Sequence, residues 1–265
     1  MNALESRLIK AKQAATAAAE VIRHYYDIQL AGKLEVELKS DASPVTQADI
    51  ESEKVIRKIL LDAFPQDGFY GEETGQQAMD SEFLWLIDPI DGTKSFVREY
   101  PFFSTQIALM QRSSNGDELV LGVSSAPQFE EIAYAIQGQD AKLNENKIQV
   151  SKIDTLEKAA LSTGNLGSIS QKPQWNNLGK VISRVSRNRG YGDFYHYHLL
   201  AAGKIDAVIE SDLNILDIAA LSVIVRAAGG RVTQLDGAPV GLQTTHLLAT
   251  NGLLHEELLR EINYA

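Results

Sequence analysis

The sequence contains no cysteine, which excludes disulfides, thiolate metal sites and a cysteine nucleophile and fits a reducing compartment. It has no basic excess either. Its 25 Lys and Arg stand against 35 Asp and Glu, for a formal net charge of −10. That balance argues against nonspecific nucleic-acid binding, which needs a basic stripe. No apolar run approaches the roughly 20 residues of a membrane helix. The stretch Met1-Asn-Ala-Leu-Glu-Ser-Arg-Leu8 lacks the apolar centre of a signal peptide. The cytoplasm is therefore the expected compartment, with neither membrane nor nucleic acid as a partner. No low-complexity linker or internal repeat interrupts the 265 residues, and at 44% hydrophobic they suffice for one large core or two smaller ones.

Residues 3–30, with Leu4, Leu8, Ala11, Ala15, Ala18 and Ile22 at helical spacing, predict a long helix. Lys33–Lys39 alternates apolar and charged residues, as an arm with one wet face does. Ser40-Asp-Ala-Ser-Pro44 is turn chemistry. Thr46 and Asp49 have the spacing of a capping box that opens a helix running to about Phe64. Strands are expected at 69–70, 103–110, 118–124 and 130–137, and a hairpin at 142–150 around Asn144-Glu-Asn146. Beyond Asp154 strand and helix alternate. Strands are expected at 160–163, 189–191, 205–210, 231–235 and 246–250, and helices at 175–185, 194–202, 218–228 and 253–262. The change of texture suggests a single unit, 1–265, of two subdomains: about 1–150, and 151–265.

The stretch that organises the rest is Phe83-Leu-Trp-Leu-Ile-Asp88-Pro-Ile-Asp91-Gly-Thr93. Its apolar half reads as a strand buried on both faces. Pro89 has no N–H to give a ladder, so pairing is expected to stop there. Gly92 permits a tight turn into Thr93-Lys-Ser-Phe96, whose first N–H groups are exposed. Two carboxylates beside unpaired donors suit a divalent cation and a phosphate better than they suit stability. Bound cations would also let an acidic chain accept an anion.

Asp88-Pro-Ile-Asp-Gly-Thr93, with Gly71-Glu-Glu73 before it and Leu216-Asp-Ile-Ala-Ala220 leading to Gly229-Gly230 after it, resembles the inositol monophosphatase family of magnesium-dependent phosphomonoesterases. The resemblance implies a layered αβαβα sandwich, an α/β fold, and a homodimer. It implies two or three Mg²⁺ held by Glu72, Asp88, the carbonyl of Ile90, Asp91 and Asp217, with Asp49, Glu72 and Thr93 preparing water for direct attack on a small phosphomonoester. Two metals about 4 Å apart clamp the attacking and leaving oxygens of such a transfer. Gly92 and Thr93 would hold phosphate, and Asp193 and Glu210 the leaving group.

Several of these residues have a plainer reading. Asp49 and Asp193 are also helix-capping residues by position, and Lys39 and Ser40 either steer phosphate or belong to a solvated loop. His196 and His198 are two apart on one helix and so on different faces. Leu216 replaces a tryptophan common in the family. Lys94-Ser95-Phe96 and Arg189-Gly-Tyr-Gly-Asp193 are more similar to the histidinol-phosphate phosphatase branch, whose cationic substrate suits carboxylates. Inositol monophosphate and other sugar phosphates are the alternatives. Gly192-Asp-Phe-Tyr-His-Tyr197 does not match the element of the 3′-phosphoadenosine phosphate branch. A catalytically weak phosphometabolite-binding relative is the reading from a different class.

Overall fold

Asn2 opens the first helix. Its Oδ1 accepts from the Glu5 N–H at 2.8 Å, while Glu5 accepts from the Asn2 N–H at 2.9 Å. The computed structural model describes residues 2–33, 36–38, 44–114 and 116–264. Helix α1 (Ala3–Leu30) buries Ala11, Ala14, Ala15, Ala18, Ala19 and Ile22, a face of small side chains against which a neighbour can lie close. A short hairpin follows, β1 (Val36–Leu38) antiparallel to β2 (Pro44–Thr46). Lys39, Ser40 and the rest of that expected turn up to Ser43 lie outside the described residues. The capping box forms as expected: α2 (Gln47–Ala63) starts from Thr46, with Asp49 reaching back to the Thr46 N–H.

An eight-stranded sheet comes next. It comprises β3 (Gly68–Gly71), β4 (Gly75–Gln77), β5 (Phe83–Asp91), β6 (Ser104–Ser113), β7 (Gly116–Ala126), β8 (Glu131–Ile136), β9 (Lys142–Leu143) and β10 (Asn146–Lys147), with one helical turn, α3 (Thr93–Val97), after β5. The spatial order is β10-β9-β8-β7-β6-β5-β3-β4, antiparallel except where β3 meets β5. The β9–β10 turn places Asn144 and Glu145 at φ 47° and 66°, the pair of left-handed residues that a two-residue hairpin requires.

The remainder supplies β11 (Ala160–Gly164), α4 (Gly167–Ser170), α5 (Gln174–Arg184), β12 (Arg187–Arg189), α6 (Asp193–Ala201), β13 (Ala207–Ser211), α7 (Ile215–Ala227), β14 (Arg231–Thr233), β15 (His246–Thr250) and α8 (His255–Ile262). Its five strands lie in the order β12-β11-β13-β15-β14, with β11 parallel to both of its neighbours. Helices α1 and α2 cover one face of the large sheet, and α6 and α7 fill the space between the two sheets. Helix α8 packs on β15 and on α5, beyond the second sheet. The result is the five-layer αβαβα sandwich. Gly122 lets the layers touch, since any Cβ there would overlap the Ala220 backbone on α7.

Three expectations need correction. Pairing does not stop at Pro89: β5 runs on to Asp91, with Asp88 opposite Gln106 and Asp91 opposite Ser104. A bulge absorbs the missing N–H, because Pro89 and Ile90 together oppose Thr105, whose hydroxyl donates to the Pro89 carbonyl at 2.9 Å. The strand expected at 189–191 occupies Arg187–Arg189, because Tyr191 N–H turns to the Ser162 hydroxyl at 3.3 Å. Helix α7 begins at Ile215, three residues early, because Asn214 caps it. No described helix is long and apolar enough to cross a membrane.

Candidate active site

Three elements end at one place. The bulged end of β5 delivers Asp88 and Asp91, the first turn of α7 delivers Asp217, and the turn after β3 delivers Glu72. One oxygen from each of Asp88, Asp91 and Asp217 lies within 4.8 Å of the others. Glu72 stands just outside that trio but lines the same cavity of about 220 Å³, with Ile90, Gly92, Thr93, Lys94 and Asp193. Asp88 and Asp91 are buried, at 2% and 9% exposure.

Burial and mutual repulsion raise all three carboxyls. Burial, then Glu72, Asp217 and Asp91, push the Asp88 carboxyl well above the usual range. Burial, then Asp193, Asp217 and Glu210, do the same to Asp91. Asp217 is raised to about 7 by burial, against the Asn214 N–H that it accepts at 3.0 Å. Among the described residues, no lysine or arginine forms an ion pair with any of the three. Clustered hard oxygens without such a partner among the described residues fit a divalent cation. The trio, Glu72 and the Ile90 carbonyl are the groups that could hold one.

Beside this cluster, the Thr93 hydroxyl has two acceptors in reach, Asp49 Oδ1 at 3.2 Å and the Ile90 carbonyl at 3.0 Å. Asp49 therefore both caps and holds Thr93: its Oδ2 takes the Thr46 N–H at 2.8 Å and the Thr46 hydroxyl at 2.7 Å. Burial raises its carboxyl, and those hydrogen bonds oppose the rise. Gly92, at φ 92°, is fixed by a close approach, since a Cβ there would stand 2.5 Å from the Phe102 carbonyl. Ser95 and Phe96 N–H both turn back to the Gly92 carbonyl.

The far wall of the cavity carries Asn165, Asp193 and Asp212. Asp193 makes no side-chain cap on α6; it accepts from the Ser95 hydroxyl at 3.4 Å. Its carboxyl is raised by burial and then by Glu210, with His196 and Lys94 acting against them. Glu210 is buried, and its Oε2 meets the Tyr197 hydroxyl at 2.8 Å and His196 Nε2 at 3.1 Å. A recess of about 20 Å³ joins it to Asp91, Asp193 and Asp217. His196 and His198 are both buried in polar networks, and Leu216 sits in the core around α7.

Sequence reasoning missed several residues here. Asn165 and Asp212 follow the ends of the parallel strands β11 and β13, a position that could have flagged them. Their left-handed backbones (φ 44° and 59°) suit Asn and Asp, the types besides glycine that most readily adopt that region. Glu53 is fully buried and accepts the Glu73 and Thr74 N–H groups at 2.8 and 2.6 Å, which fixes the turn carrying Glu72. Its signal was an acid at a core position of α2, in line with Asp49, Ile56 and Leu60.

The description "Inositol monophosphatase family" matches residues 4–264. A histidinol-phosphatase of Streptomyces coelicolor is 37% identical over 235 residues, covering 87% of this chain and 88% of that protein. An inositol-1-monophosphatase of Caulobacter vibrioides is 32% identical over 241 residues, covering 88% of this chain and 92% of that protein. The solved inositol monophosphatase of Anabaena (Nostoc) sp. PCC 7120 superposes with a TM-score of 0.84 at 30% identity, covering 99% of this chain and 97% of that one. With its acids converging as its motifs require, this chain belongs to the inositol monophosphatase family and is a phosphatase, a hydrolase of phosphomonoesters.

Proposed function

We propose that the chain is a Mg²⁺-dependent phosphomonoesterase whose substrate is histidinol phosphate. The observation that carries the substrate is the acidic far wall. Asp193 and Asp212 line the cavity beyond the metal-ligand trio, and Glu210 lies behind Asp193. A leaving group bearing an ammonium and an imidazole gains charge-assisted contacts on that wall, which a neutral polyol, with hydroxyl donors alone, does not. The relative named histidinol-phosphatase at 37% identity supports the same choice. Inositol 1-phosphate is the second reading, favoured by the relative of that name at 32%.

Mg²⁺ bound by Glu72, Asp88, the Ile90 carbonyl, Asp91 and Asp217 would neutralise the cluster and polarise the phosphoryl oxygens. The chain's own groups do the rest. Thr93 donates its hydroxyl hydrogen bond to Asp49, so its oxygen is left to accept from an incoming water and aim it at phosphorus. Glu72 borders the same space and accepts a proton as the water attacks. The phosphorus–ester oxygen bond breaks and the leaving oxygen takes up a proton from solvent, giving free alcohol and inorganic phosphate with no phosphoryl-enzyme. Gly92 and Thr93 present backbone N–H groups to the phosphate ahead of the α3 turn.

We read residues 1–150 and 151–265 as two subdomains of one catalytic unit, a division supported by the eight-stranded sheet falling in the first and the five-stranded sheet in the second. A homodimer is the assembly we expect. Turnover of histidinol phosphate and myo-inositol 1-phosphate, with Mg²⁺ and after chelation, tests the proposal. A higher kcat/KM for histidinol phosphate that disappears on chelation is expected. Equal or better turnover of the inositol ester would displace the substrate assignment, and full turnover after chelation would displace the metal.

A further inference from the structure

The carboxylate of Asp91 is the end of a buried polar chain that crosses the large sheet. Ser104, opposite Asp91 on β6, donates its hydroxyl to Asp91 Oδ2 at 3.4 Å. Gln106 donates one amide proton to Ser104 Oγ at 2.7 Å and the other to Ser124 Oγ at 3.1 Å, on β7. Ser124 Oγ meets His198 Nε2 of α6 at 2.9 Å, and His198 Nδ1 meets Glu131 Oε2 at 2.8 Å. Ser104, Gln106 and Ser124 are fully buried and His198 is 2% exposed, whereas a quarter of the Glu131 side chain reaches solvent.

The chain has a direction. An amide nitrogen can only donate. Both serine oxygens accept from Gln106, so each hydroxyl is free to pass its own proton onward, one to Asp91 and the other to His198. That order gives His198 its proton on Nδ1, aimed at Glu131. Gln106 is the source of both branches, and a carboxylate ends each.

Such a row does not serve stability. The positions that follow it on β6, Ile107, Ala108 and Leu109, are apolar and fully buried. Gln106 Oε1 is buried without a hydrogen-bond partner among the described residues, an arrangement that costs free energy. We infer that Gln106 is a positioning residue of the phosphatase centre, acting through Ser104 to fix the Asp91 carboxylate in the orientation that receives a divalent cation. The inference rests on the reading of Asp91 as a metal ligand.

Isothermal titration of the whole protein with Mg²⁺, beside kinetics and a melting curve, tests it. Gln106→Met keeps the shape and removes both donors, and Ser104→Ala removes the link. Each is expected to weaken Mg²⁺ about 10-fold, the lower end of the range for groups that orient a ligand. The double variant should lose no more than either single one, because both cut one chain. The fall in kcat should match, with substrate KM within about twofold and Tm within about 3 °C. A lowered Tm with unchanged Mg²⁺ affinity would make the chain mere packing and overturn the inference, as would additive losses in the double variant. If Gln106→Met does not fold, Ser104→Ala alone decides. Asp91→Asn separates the two levels. If it leaves Mg²⁺ affinity unchanged, the metal reading fails and takes the inference with it. If it abolishes binding while Gln106→Met and Ser104→Ala do not weaken it, only the inference fails.

Discussion

Buried acids lie beside both ends of strand β5, Asp67 just before its neighbour β3 and Asp88 and Asp91 on β5 itself, and only the first is neutralised by a pairing among the described residues. Near the start of β5, Asp67 receives both arms of Arg7, at 2.9 and 2.7 Å, and the Trp85 indole N–H at 3.1 Å. The Arg7 guanidinium is also sandwiched by Phe83 and Phe64, at 4.0 and 4.5 Å from their ring centres. At its far end Asp88 and Asp91 face a third carboxylate. The first arrangement is closed: every charge has its counterpart inside the chain, and its work is to lock α1 onto the sheet. The second is open: among the described residues no lysine or arginine pairs with it, and a cation from solution could supply the complement. Burial of an acid is thus no sign of function in itself; the missing counter-charge is.

Exchanging charge for its neutral isostere at the open end gives the largest expected effect. Asp91→Asn should cut kcat on the order of 10³-fold, as loss of a principal electrostatic group does, while the fold keeps its Tm or gains slightly from relieved repulsion. Near-normal turnover would mean that Asp91 is not at the reacting centre. The closed end should respond the opposite way. Arg7→Leu strands Asp67 and should cost about 3–5 kcal/mol of stability, with kcat per folded molecule unchanged; chemical denaturation and active-site titration read both.

Supplying the missing charge is the next step down. Mg²⁺ at about 100 times its Kd should add about 2.7 kcal/mol, or roughly 5–10 °C in Tm. It should do so in the Arg7 variant too, and much less in Asp91→Asn. Equal shifts in all three would place the cation elsewhere.

Asp193→Asn should lower kcat/KM for histidinol phosphate by about 10- to 100-fold more than for a neutral sugar phosphate. Since Asp193 caps nothing, Tm should hold; equal losses on both substrates would restore inositol phosphate to first place. The smallest effect concerns protons. Asp217 is raised to about 7 from an ordinary 3.8, so the metal-free fold binds this proton more tightly than the unfolded chain does. Its contribution is full below about pH 4 and fades as pH climbs to about 7. Metal-free Tm should therefore gain from this cluster on going from pH 8 to 5, and the Mg²⁺ increment should shrink. A Mg²⁺ increment that is flat across that range would detach Asp217 from the cation.

The sequence showed the open end better than the closed one. Asp88 and Asp91 sit in a dense local motif, and Thr46 and Asp49 form a capping box four residues long, so short-range spacing sufficed. Arg7 and Asp67 lie 60 residues apart and are joined only by packing. Ser104 and Gln106, two apart on β6, share a face by alternation, but nothing local says that Ser124 and His198 join them there. Strand β4 escaped because Gly75-Gln-Gln77 has neither alternation nor β-branched residues. The bulge escaped because Pro89 was weighed only as a missing donor.

That bulge settles a matter of parity. Side chains of a regular strand alternate sides, so residues three apart, such as Asp88 and Asp91, point away from each other. Because Pro89 and Ile90 share one partner, Thr105, the odd interval in the sequence becomes an even one in the sheet, and the two acids emerge on the same side. Whether the acids meet is therefore decided by counting rather than by fine adjustment. A small displacement of β5 leaves the answer unchanged, whereas one residue inserted between Ile90 and Asp91 would turn Asp91 to the opposite face without altering a single side chain of the cluster.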